Sequence, residues 1–134
     1  MGDFLSCFEK LFPHGDFFTL NVSSPNTPNL RELQEKSLLR ELLAAVQEKN
    51  RQLAAQANIG LKPVLVKIAP DMEFSQVDEI IEVVDEVKLS GIVATNATAI
   101  HREGLRSIHG PQPGGLSGRP INQLPPHKRG IGMV

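Results

Sequence analysis

Asn21, Ser23, Ser24, Asn26 and Thr27 crowd two amides and three hydroxyls into the seven residues Asn21–Thr27, with Pro25 fixing the turn. Such side chains donate and accept hydrogen bonds without carrying charge, which suits the carbonyl and N–H edge of a polar ring. They follow an apolar run, Phe17-Phe18-Thr19-Leu20, that reads as a buried strand. Two further apolar runs carry chemistry in the same way. Lys67 stands inside Pro63–Pro70, and Gly91–Ala94 runs straight into Thr95-Asn96. In parallel α/β folds, ligands bind where the C-terminal ends of the strands converge. Together these residues predict a neutral-to-cationic, hydrogen-bond-rich pocket for a planar polar ring bearing negative charge. No metal is expected, because these segments hold no His, Cys or carboxylate.

Each of these residues also has a plainer reading. Lys67, if it lies in a strand covered on both faces, has lost hydration and needs an anionic partner; that partner is either a ligand or a buried carboxylate, unless the chain snorkels to the rim. Ser24 before Pro25 is an ordinary turn residue and, taken alone, a poor base. Asn21, Asn26 and Asn96 can satisfy backbone groups in turns or caps. Gly114-Gly115-Leu116-Ser117-Gly118 allows a backbone to approach a ligand closely, as do many glycine-rich loops. His101, His109 and His127 fall in loop-like sequence and read as surface residues, and Cys7 reads as a buried structural thiol on an apolar helix face.

Strand and helix alternate along the chain. Asp3–Leu11 reads as a short helix and Phe17–Val22 as a strand. Asn29 and Glu32 can form a capping box. The helix that follows carries Leu39, Leu42, Leu43 and Val46 at helical spacing and ends near Asn58-Ile59-Gly60. The apolar run between Pro63 and Pro70 suits a parallel strand covered on both faces. Ser75 opens the next helix, with Val77, Ile80, Ile81, Val84 and Val87 on one face. Gly91–Asn96 is the third strand. This order implies βαβ units and a parallel sheet. From His101 to Val134 there are seven Gly and five Pro and no apolar period, so residues 122–134 read as an irregular tail, either a ligand-dependent loop or sequence that stops short of its partners.

With 14 basic and 15 acidic residues, 40% hydrophobic and 22% charged, the chain has the composition of a soluble globular domain. No Lys/Arg cluster favours nucleic acid, and six Phe without Tyr or Trp give few platforms for stacking bases. The absence of a long apolar stretch or a leader pattern predicts a cytoplasmic location. Without secretion, the N-glycosylation matches Asn21-Val22-Ser23 and Asn96-Ala97-Thr98 carry no meaning.

Four segments, in order, resemble the class 2 (quinone-dependent) dihydroorotate dehydrogenase family: Asn21-Val22-Ser23-Ser24-Pro25-Asn26-Thr27, Val66-Lys67-Ile68-Ala69-Pro70, Ala94-Thr95-Asn96 and Gly114-Gly115-Leu116-Ser117-Gly118-Arg119-Pro120. The resemblance runs from about residue 3 to about residue 121. It implies a portion of a (β/α)8 barrel, about three parallel strands over residues 1–121, that holds FMN at the strand ends. The implied reaction is oxidation of dihydroorotate to orotate in pyrimidine synthesis. Ser24 would be the catalytic base, where class 1 relatives place cysteine; serine points to a membrane quinone as the final acceptor. Asn21 would touch both FMN and substrate. Lys67, Thr95 and Gly118 would contact FMN. Asn26, Asn96 and position 97 would hold the substrate. The parent enzyme would lie on the cytoplasmic face of a membrane, and its oligomeric state is left open.

Two departures stand out. Ala97 replaces the threonine usual in the family, which removes one hydrogen bond to substrate. A (β/α)8 barrel typically needs about 250 residues, and nothing here matches the family's N-terminal membrane-associating segment or its phosphate-binding last strands. A second expectation is therefore a truncated, non-catalytic partial barrel that is colourless when isolated and acts at most as a binding or assembly module. A third is a different FMN barrel with a similar core.

Overall fold

The computed structural model describes residues 2–23, 35–98, 105–110 and 112–118. Helix α1 (Gly2–Leu11) leads through a 3-10 turn to strand β1 (Phe18–Asn21). Helix α2 (Lys36–Ala57), strand β2 (Val64–Ile68), helix α3 (Phe74–Glu86) and strand β3 (Gly91–Ala94) follow. The strands are parallel, in the order β1-β2-β3, with Leu20 beside Val66 and Val66 beside Ile92. Alternation then assigns the faces. Leu20, Val64, Val66 and Ile68 are buried in one core with Leu39, Leu42, Leu43 and Val46 of α2 and Ile80 and Val83 of α3. Both crossover helices therefore pack on the same face while the strand order advances one way, which is the winding of a barrel wall. On the opposite face, Thr19, Asn21, Leu65, Lys67, Gly91 and Val93 are half-buried or exposed.

Local chemistry fixes the helix ends. The sequence places a stop at Asn58, and Asn58 is left-handed (φ 53°), with Ile59 N–H donating to Ala54 O at 3.0 Å. Helix α3 does not open on Ser75. Its N-cap is Glu73, and Glu73 and Gln76 cap each other's backbone, the role usually given to Ser or Thr before Gln. Its buried stripe is Val77, Ile80, Val83 and Val84, with Ile81 half exposed. At about 100° per residue the stripe running to Val87 centres nearer Val83 than Ile81. Cys7 is likewise exposed rather than buried; α1 turns Phe4, Leu5 and Phe8 inward, and Cys7 falls about 60° outside that arc. The Asn29–Glu32 cap lies outside the described residues.

Helices α2 and α3 are joined at their surface by Lys36–Glu82 and by Arg40 with Glu86 at 2.9 Å. The hydrogen bond and charge of Lys36 hold the Glu82 carboxyl below its usual range. At the N-terminal ends of the strands the core is sealed by Phe8, Phe12 and Phe18, with Phe8 and Phe18 ring centres 4.7 Å apart. Lys62 lies over the Phe12 ring, 4.6 Å from its centre, and donates to the carbonyls of Phe12 and Gly15. Buried Asn50 donates to Lys62 O at 2.9 Å and accepts from Lys62 N–H at 3.2 Å, and Gln47 donates to Lys88 O at 2.6 Å.

Candidate functional site at the strand ends

The C-terminal ends of the three strands carry the polar cluster. Asn21 is the last residue of β1, and the parallel register sets it beside Lys67, which in turn faces Val93. The chain turns at Val22, which is fully buried, and Ser23, also fully buried, folds its hydroxyl back onto Asn21. The Asn21 Oδ1 atom accepts from Ser23 N–H at 3.2 Å, from Ser23 Oγ at 2.9 Å and from Asn96 Nδ2 at 3.4 Å. Asn96 Nδ2 also donates to Ser23 Oγ at 3.1 Å. Its own oxygen accepts from Ala97 N–H at 2.8 Å, and its N–H donates to Ile68 O at 2.9 Å, which ties the β3 exit to the end of β2. The Ala94–Thr95 peptide bond is cis, and the Thr95 hydroxyl donates to Asn96 O at 3.0 Å.

This network orients the Asn21 amide. With three donors on its oxygen, its Nδ2 has no partner among the described residues. Nor does Lys67 Nζ. The apolar run around Lys67 suggests a strand covered in two layers; among the described residues β2 is covered on one face only, and Lys67 stands half-buried on the other. Two donors, one neutral and one cationic, are thus neighbours on the open face of the sheet. They match an electron-rich ring edge with carbonyl or ring-nitrogen acceptors.

The structure brings together Asn21, Lys67, Thr95, Asn96 and Ala97. Gly118 is exposed with φ +87° and is linked to them through its loop: Leu116 pairs with Thr98, and a Cβ on Gly115 would sit 2.6 Å from Ala97 Cβ. Ser24 and Asn26 lie outside the described residues, as do His101 and His127. His109 is exposed and bonds Gln112. Ser23, which sequence reasoning noted only as one strand-end hydroxyl, is the hub of the cluster; the signal for it was the Asn-x-Ser spacing of an Asx turn. Nothing in the sequence marks Asp71, and Thr98 stands out only as the end of the Asn96-Ala97-Thr98 match. A separate cavity of about 590 Å³ opens between the starts of α2 and α3, lined by Lys36, Arg40, Asp71, Met72 and Gln76 among others. Among the described residues no His, Cys, Asp and Glu group is placed to hold a metal ion, and no helix is long and apolar enough to cross a membrane.

A singly wound parallel β/α sheet with polar side chains at its C-terminal rim defines an α/β protein of the barrel class. The chain belongs to the dihydroorotate dehydrogenase family, whose model matches residues 1–125. It is 50% identical over 121 residues to the dihydroorotate dehydrogenase (quinone) of Christiangramia forsetii, covering 90% of this chain and 34% of that protein. With the enzyme of the same name from Gloeobacter violaceus the identity is 49%, over 89% of this chain and 31% of the relative. The crystal structure of DHODH in complex with ferulenol from Eimeria tenella superposes with a TM-score of 0.81 at 33% identity, covering 89% of this chain and 35% of that one. The chain thus spans about a third of the length of these relatives. The three strands and their helices are a portion of a (β/α)8 barrel, as the sequence led us to expect.

Proposed function

We propose that these residues form part of the flavin and substrate site of a quinone-linked dihydroorotate dehydrogenase, which oxidises dihydroorotate to orotate. The observation that carries this reading is a pair of donors without partners among the described residues, Asn21 Nδ2 and Lys67 Nζ, held side by side at the strand ends of a chain of this family. Those donors fit the acceptor edge of FMN or of the pyrimidine ring. When bound, FMN supplies a two-electron acceptor for the hydride from C6 of dihydroorotate. Ser24, three residues beyond the last residue of β1, is the base that takes the proton from C5, passing it to a neighbour or water. Asn21, Lys67, Thr95 and Gly118 hold FMN, and Asn26 and Asn96 hold the pyrimidine amides. At Ala97 only the backbone remains to contribute. A membrane quinone would be the final electron acceptor, with the enzyme at the cytoplasmic surface of a membrane.

The native protein carrying this sequence is expected to purify yellow and to reduce a quinone analogue when given dihydroorotate. Its Ser24→Ala variant should keep the flavin and lose turnover. A colourless native protein, or a Ser24→Ala variant with undiminished turnover, would overturn the assignment. A non-catalytic role has one observation in its favour: the inner face of the sheet is uncovered among the described residues, and β1 and β3 each have an unpaired edge there. For the 134 residues expressed alone the expected product is colourless and prone to associate; stoichiometric flavin in it would refute that expectation.

A further inference from the structure

Thr98 is fully buried just past the strand-end cluster. Its backbone pairs with Leu116 in both directions, Thr98 N–H to Leu116 O at 2.9 Å and Leu116 N–H to Thr98 O at 2.7 Å. Its hydroxyl donates to a carboxylate oxygen of Asp71, in the turn between β2 and α3. One residue therefore joins three segments: the exit of β2, the exit of β3 and the glycine-rich loop. The loop is held at its middle. Gly115 lies against Ala97 with no room for a side chain, whereas around Gly114 and Gly118 a Cβ would meet nothing within 4 Å. Two backbone hydrogen bonds do not by themselves offset the conformational entropy of ordering a five-residue loop. A hydroxyl-to-carboxylate bond made by a buried donor is stronger than a neutral one and has a defined direction.

We propose that Asp71 is a positioning residue for the cofactor site: acting through Thr98, it seats the Gly114–Gly118 loop against Ala97 and Thr98 and so completes the wall that receives the flavin. The proposal rests on the flavin reading above. Thr98→Val keeps the shape and removes the hydroxyl, Asp71→Ala removes the acceptor, and Asp71→Asn keeps one. In the native protein carrying this sequence, hydrogen exchange at the Leu116 amide is measured without flavin, and FMN affinity by quenching of flavin fluorescence. Thr98→Val and Asp71→Ala should each speed the exchange and weaken FMN binding by roughly tenfold, and the double variant should be no worse than either single one. Asp71→Asn should stay within about twofold of the parent, because the hydroxyl still finds an acceptor. Unchanged exchange in Thr98→Val, additive losses in the double variant, or equal damage from Asp71→Asn and Asp71→Ala would each overturn the proposal. A parent that binds no FMN would sink the flavin reading, and the cofactor role with it, whatever the exchange shows; unchanged exchange in a parent that does bind FMN would sink the Asp71–Thr98 latch alone.

Discussion

The two ends of the sheet use the same residue types in opposite ways. At the N-terminal ends, Asn50 engages both sides of its amide with the backbone of Lys62, and Lys62 gives its ammonium to two carbonyls and an aromatic face. At the C-terminal ends, Asn21 has only its oxygen engaged, and Lys67 engages nothing among the described residues. An asparagine or a lysine in a strand or its flank is therefore not informative by type. What separates a structural polar group from a binding one is whether its donors already have partners.

Substitutions at the two ends should separate accordingly. Asn50→Ala leaves the Lys62 N–H and C=O without their buried partners and should lower stability by about 2–4 kcal/mol, read from the denaturant midpoint of the native protein. A cost below about 0.5 kcal/mol would mean water replaces the amide and the contrast is false. Lys62→Met removes two hydrogen bonds and the ring contact and should cost about 1–3 kcal/mol, with ligand binding intact. Lys67→Met is its counterpart: stability within about 0.5 kcal/mol of the parent, but FMN affinity lower by roughly tenfold, or about 1.4 kcal/mol, measured by flavin fluorescence. A Lys67 variant that unfolds and a Lys62 variant that loses flavin would invert the comparison. The smallest effect belongs to neither end. Glu82 has its carboxyl lowered from 4.5 by Lys36, so the pair stabilises the fold above the ordinary carboxylate range and stops doing so as the pH falls through the depressed value. Glu82→Gln should show a slight loss at neutral pH that closes on acidification and in molar salt, seen as converging denaturation midpoints.

The elements were legible where one periodicity dominated. Leu39, Leu42, Leu43 and Val46 mark α2, and the apolar runs mark β2 and β3, although the first and third strands, Phe18–Asn21 and Gly91–Ala94, are shorter than the expected Phe17–Val22 and Gly91–Asn96. Sequence pattern failed where two stripes competed. Ile81 and Cys7 each sit beside apolar neighbours, yet the stripe is centred by residues a turn away. The face of Lys67 was illegible for a different reason, since a continuous apolar run does not say which layers cover it. At the site, motif spacing pointed to Asn21, Lys67 and Asn96 but not to the bonds among them. Asp71 and Thr98 lie 27 residues apart and meet only through the fold.

The one-directional strand order has a consequence for how the chain assembles on the ribosome. Each helix packs on one side and each new strand joins the free edge of the one before, so β1, α2 and β2 can dock before β3 has been synthesised. Among the described strands, none has to insert between two that are already paired. Growth from one edge keeps each pairing close in sequence, the condition under which a parallel sheet forms fastest.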